Sequence, residues 1–212
     1  MARYGFNPLG VMYSEITASS LLRVDLGGDV LYNPWTSYSI SKAGYIIHNA
    51  LRSARKDLEC AIHTHTIDGV AVSTMKRGLL PFTQTAMRFR QVPYHHHEAV
   101  ALSKGERGRL IADMADADVM VLRNHGLLAA GPTVQEAFNN IYRLQRACAI
   151  QLKAMAANTE LIVPSEPIIA STNDQLSVQS CADHPGERKA YGITEWAALI
   201  RMLDRKDDSY KQ

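Results

Sequence analysis

Three cysteines in 212 residues cannot staple a fold, and Cys60, Cys148 and Cys181 form no Cys-x-x-Cys pair. An odd number leaves one thiol unpaired in any scheme, so a reduced, cytoplasmic setting is the simplest expectation. No run of eighteen apolar residues occurs, which argues against a transmembrane helix and a membrane partner. The first residues carry no apolar segment of the secretory-leader kind, and no leader is expected. Neither sign of charge prevails: 23 Lys and Arg face 21 Asp and Glu, for a net charge of +2. The basic residues are scattered rather than striped, so nucleic acid is not an expected partner. Internal repeats and low-complexity segments are also missing. What remains is 46% hydrophobic and 21% charged, the balance of a globular chain long enough to bury a real core.

The chain is organised around Cys60-Ala61-Ile62-His63-Thr64-His65-Thr66. Small and β-branched residues make it read as a buried strand. Side chains alternate along a strand, so His63 and His65 leave the same face with Cα atoms roughly 6.5 Å apart. Two imidazoles at that separation can converge on one divalent metal. A third histidine closes another apolar strand, Val119-Met120-Val121-Leu122-Arg123-Asn124-His125, just before Gly126. Together they suggest a three-imidazole site with a position open for substrate. A strand histidine can equally be a hydrogen-bonded core or surface residue, and spacing alone does not bring segments sixty residues apart together.

Along the chain, residues 4–13 read as a strand and turn broken by Asn7-Pro8 and Gly10. Ser19 to Leu31 reads as a β-hairpin turning at Gly27-Gly28. Ser39 or Ser41 caps a helix whose apolar face is Ala43, Ile46, Ile47, Ala50, Leu51 and Ala54. A short helix is expected near 69–76, and a loop and strand over 82–92. Ser103-Lys104-Gly105-Glu106 has the form of a capping box opening a helix to about Met114. Strands 118–124 and 127–130 flank His125-Gly126. Thr133-Val134-Gln135-Glu136 opens the longest helix, with a stripe of Val134, Ala137, Phe138, Ile141, Leu144, Cys148, Leu152 and Met155. Residues 158–188 read as irregular. A last amphipathic helix runs from Thr194 to about Arg205 through Trp196, Ile200 and Leu203.

His63-Thr64-His65, Arg123-Asn124-His125-Gly126 and the strand from Leu127 to Gly131 resemble the class II aldolase/adducin family. Asn7-Pro8-Leu9-Gly10 and Leu22-Arg23-Val24-Asp25-Leu26-Gly27-Gly28 do too, in family order. The resemblance covers about residues 4 to 157. It implies an α/β fold of three layers, α/β/α, around a central mixed, largely antiparallel sheet, with N-terminal strands of the family missing. It divides the chain into a family domain over 1–157 and a C-terminal extension over 158–212, whose last helix packs on the same domain or on a neighbouring subunit. It also implies one divalent metal ion per chain held by His63, His65 and His125. Imidazoles suit zinc first, and manganese, iron or cobalt as well. A homotetramer with sites at subunit boundaries is the implied assembly.

Two departures bear on function. Aldolases of this family carry a glutamate four residues before a histidine on the first helix. Here that histidine is His48, and the earlier position is Gly44. The glycine points to the adducin-like branch. The Gly-Asn loop that grips a substrate phosphate is also not found, so no phosphate site is carried over. The expected function is therefore a metal-dependent lyase acting on a small carbonyl or carboxylate compound by C–C cleavage through an enolate. Decarboxylation ranks ahead of aldol cleavage because the glutamate is gone. A non-catalytic assembly module is the alternative, and a non-haem iron oxygenase ranks third. Glu98, after Tyr94-His95-His96-His97, is a candidate acid/base, against a surface or capping carboxylate. His48 is a candidate catalytic residue or a packed helix histidine. Arg123 is a candidate clamp on a substrate carboxylate or a structural partner. On a strand His95 and His97 would share a face, unless the three histidines are solvated loop residues.

Overall fold

The computed structural model describes residues 3–35, 37–89, 91–97, 104–177 and 192–212. In chain order the elements are β1 (Arg3–Phe6), β2 (Leu22–Asp25), β3 (Val30–Tyr32), α1 (Lys42–Ala54), β4 (Cys60–Thr64), α2 (Ile67–Thr74), α3 (Gln84–Met87) and β5 (Tyr94–His95). They continue with α4 (Lys104–Met114), β6 (Val119–Leu122), β7 (Gly126–Gly131), α5 (Val134–Ala156), α6 (Glu166–Ser177) and α7 (Ile193–Lys206).

Strands β6 and β7 are buried along their whole length, which follows from apolar residues at every position and marks a sheet covered on both faces. Met120, Leu122, Leu128 and Ala130 face Ile47, Ala50 and Leu51 of α1 and Leu110 and Met114 of α4. Their neighbours Val119, Val121, Leu127 and Ala129 face Val72 of α2 and Ile141, Leu144 and Cys148 of α5. The alternation of strand side chains thus builds the three layers α/β/α. The sheet runs β4-β7-β6-β5, with two antiparallel pairings and a parallel one at β5–β6. The N-terminal strands do not join it. They form a separate three-stranded antiparallel sheet, β1-β2-β3, closed over Leu22, Val24 and Tyr45.

Several expectations need correction. Strand β4 is half-buried throughout rather than buried, because it lies at the edge of its sheet. On α1, capped by Ser41 through a bond from Gly44 N, Tyr45 and Asn49 are buried while Ala54 is exposed. Their polar atoms reach the hairpin, since Tyr45 Oη and Asn49 Nδ2 both donate to the Leu26 carbonyl at 2.8 Å. Asp25 holds the hairpin turn by accepting from Gly27 N (2.8 Å) and Asp29 N (3.0 Å). The stretch 82–92 contains the one-turn helix α3, capped by Thr83. The α5 stripe is shorter at both ends, with Val134 and Met155 exposed. Within 158–188 lies α6, anchored by the buried Ile169 and by Asn173 Nδ2 donating to the Arg88 carbonyl at 2.6 Å. The Ser103 cap lies outside the described residues. No described helix is long and apolar enough to cross a membrane.

Candidate metal centre

His63 is held within the β4–β7 ladder, opposite Leu128. His65 lies one residue beyond the last pairing, Thr64 with Leu127. His125 sits at the β6–β7 corner, after Asn124, whose φ of 55° is left-handed, a conformation asparagine tolerates better than most. At Gly126 an added Cβ would lie 2.3 Å from the Thr64 carbonyl oxygen. Glycine there lets the corner close onto the end of β4, which brings the third imidazole to the first two.

The Nε2 atom of His63 lies 2.8 Å from that of His65 and 3.2 Å from that of His125. One ligand atom from each ring falls within 4.8 Å of the others. The His63 ring donates from Nδ1 to the Leu127 carbonyl at 2.9 Å. A carbonyl only accepts, so neutral His63 keeps its Nδ1 proton and turns an Nε2 lone pair inward. Burial lowers its pKa to about 4, with the Leu127 carbonyl opposing and its histidine neighbours adding to the shift. His125 is also shifted down, first by burial and then by His65 and His97. Neutral nitrogens crowded this closely meet a cation's needs: a tetrahedral zinc at ~2.0–2.1 Å from each ligand sets nitrogens roughly 3.3 Å apart. A ring nitrogen donating outward to a carbonyl is also the usual support of a metal-bound histidine. The donor set therefore fits a divalent transition metal.

Around this cluster the other candidates divide. The His97 ring lies 5.9 Å from that of His125, so a fourth imidazole borders the site. Strand alternation would have paired it with His95, but β5 ends at His95, so the alternation does not carry on to His97. His95 points elsewhere: it is 4% exposed, with Nδ1 2.7 Å from Asp113 and Nε2 3.9 Å from Glu106. Of the solvated-loop alternative, only His96 and His97 are exposed. The His48 ring packs edge-on against Phe6 at 5.4 Å, and burial lowers its pKa to about 4. It is uncharged at neutral pH, in keeping with the packed alternative. Arg123 donates from Nη1 to the Met75 carbonyl (2.5 Å) and from Nη2 to that of Lys76 (3.3 Å), with its guanidinium 3.9 Å from the Tyr94 ring centre. These are the contacts of a structural partner. Glu98 lies outside the described residues. At Gly44 an added Cβ would meet Ser41 at 3.4 Å and Phe6 at 3.6 Å, both ordinary van der Waals contacts, so the position has room for a side chain and simply carries no acid/base group.

The model of the class II aldolase and adducin N-terminal domain matches residues 2–152. The chain belongs to this family. Within it, an aldolase II superfamily protein from Pseudomonas syringae has a crystal structure that superposes with a TM-score of 0.89 at 42% identity, over 99% of this chain and 81% of that one. The L-fuculose 1-phosphate aldolase of Glaciozyma antarctica superposes at 0.80 with 25% identity, over 99% and 78%. Rat alpha-adducin is 36% identical over 203 residues, 93% of this chain but 28% of the adducin. The family thus joins a named sugar-phosphate aldolase and a named adducin.

Proposed function

We propose that this protein is a divalent-metal-dependent carbon–carbon lyase acting on a small carbonyl or carboxylate compound. The observation that carries the reading is the convergence of the His63, His65 and His125 Nε2 atoms, with His63 turned inward by the Leu127 carbonyl. A bound zinc, manganese, iron or cobalt ion supplies Lewis acidity toward an oxygen next to the bond that breaks. The chain supplies the rest. His63, His65 and His125 hold the ion. Glu98, which follows His97 in the chain, is our acid/base, a carboxyl group that takes a proton from solvent and delivers it to the product carbon. His48 serves as a neutral backing ring, and Arg123 holds the 75–76 carbonyls beside the site rather than a substrate. Decarboxylation ranks ahead of aldol cleavage, since Gly44 offers no proton acceptor.

The likeness to adducin supports a second reading, a non-catalytic assembly module. Metal analysis together with a panel of β-keto acids and hydroxy-carbonyl compounds separates the two. The lyase reading expects about one transition metal per chain, and product formation that disappears in His65→Ala. Purified protein that takes up no added zinc, manganese, iron or cobalt and turns over nothing supports the module. In either case we assign a cytoplasmic homotetramer. The exposed Ile193, Met202 and Leu203 of α7 are available for its boundary.

A further inference from the structure

His65 is the ligand the sheet does not hold. It is exposed and lies past the last β4–β7 pairing. Its neighbour Thr66 stands at the N-cap of α2, yet its hydroxyl makes no cap bond. That hydroxyl donates to Oε1 of Gln145, a half-buried residue of α5, whose Nε2 donates to Asp68 Oδ2 at 2.9 Å. An ionised carboxylate only accepts, so Asp68 fixes the amide's orientation and leaves Oε1 for Thr66. One side chain from the longest helix thereby ties together the residue after His65 and the first turn of α2. The fit is close: at Gly69 an added Cβ would lie 2.7 Å from both Thr66 Oγ1 and the Leu127 side chain.

We infer that Gln145 is the positioning residue of the metal centre, fixing the backbone that carries His65 through Thr66 and Asp68. This rests on the metal reading above. His63 has the Leu127 carbonyl and His125 has its corner, whereas His65 has the α2 N-terminus, which Gln145 holds. Without the amide, α2 is freer to shift and the third ligand loses its register, leaving two imidazoles well placed. Outer partners of metal ligands typically contribute ~10–100-fold to affinity, and Gln145 belongs in that range although it acts through the backbone.

The test uses Co2+ on the full chain, read by its visible ligand-field band and by competition with a chromophoric chelator. Gln145→Leu removes both bonds and should weaken Co2+ binding ~10–100-fold with an altered band. Gln145→Glu sets two carboxylates against each other and should do the same. The double variant Gln145→Glu with Asp68→Asn reverses donor and acceptor. The carboxylate now on α5 would accept from both the Thr66 hydroxyl and the amide now on α2, and wild-type affinity and band should return. Wild-type binding by Gln145→Leu, or a double variant no better than Gln145→Glu, overturns the inference. A purely structural clamp would lower the melting temperature of the metal-free Gln145→Leu protein and leave its Co2+ affinity and band unchanged, which also overturns it. Should Gln145→Leu not fold, the comparison of Gln145→Glu with the double variant still decides. If wild type itself takes up no Co2+, the metal reading fails and this inference with it. If wild type binds and the variants bind alike, only the inference fails.

Discussion

At the scale of single residues, the three histidines are unequal in how they are held. His65→Ala should cost more metal affinity than the ~10–100-fold of an outer partner, since a ligand itself is lost. Full metal retention against a mild chelator would contradict the assignment. Gly126→Ala tests the corner. Its Cβ would meet the Thr64 carbonyl at 2.3 Å, and backbone oxygen cannot rotate away as a side chain can. We expect destabilisation at the upper end of the ~1–3 kcal/mol typical of overpacking, seen as a lower urea midpoint, with metal uptake reduced as well. The His63–His65 pair is legible in the sequence because alternation on a strand is a property of two residues alone. His125 is legible only through its corner motif. The Leu127 carbonyl is not, because any residue supplies a carbonyl and only the β4–β7 register aims this one.

At the scale of elements, caps and periodicity carry the legible part. Thr133 caps α5 by accepting from Glu136 N, and its hydroxyl donates to the Glu136 carboxylate at 2.8 Å. Thr133→Ala should therefore cost ~1 kcal/mol of global stability, measured by denaturant unfolding at unchanged slope. The helices that sequence reasoning missed share a cause. Helix α3 is four residues long, too short for any period to register. Helix α6 buries Ile169, while Ile168 beside it is 55% exposed, so no apolar stripe announces it. Its signal is Pro167 in the first turn after Ser165, a helix-start pattern. The separate N-terminal sheet was hidden for a different reason: strand pairing is a choice among partners, and nothing local to β2 states which strands it will meet.

At the scale of the whole molecule, retro-aldol turnover of ketose 1-phosphates should fall far below the enzyme median of ~10 s⁻¹. Losing a general base alone typically costs ~10²–10⁴ in rate, and Gly44 leaves none at the aldolase position. Rapid cleavage of such a substrate by metal-loaded protein would show that another group has taken the proton, and Glu98→Gln would then be the variant to examine. Light scattering at micromolar concentration should give the mass of a tetramer, and a monomer would remove the assembly proposed for α7.

The β4–β7 ladder joins residues 60–64 to residues 127–131, and the three nitrogens meet only once it has closed. Contacts so distant along a chain are slow to form because the intervening loop must first give up its entropy. An unfolded polypeptide offers a metal only local groups, His63 with His65 and the run His95-His96-His97, so the ligand-field band of the three-imidazole site would separate chains that have made this closure from chains that have not. Cobalt colour would then serve as a clock for one long-range event, appearing after backbone helicity and together with the β-sheet.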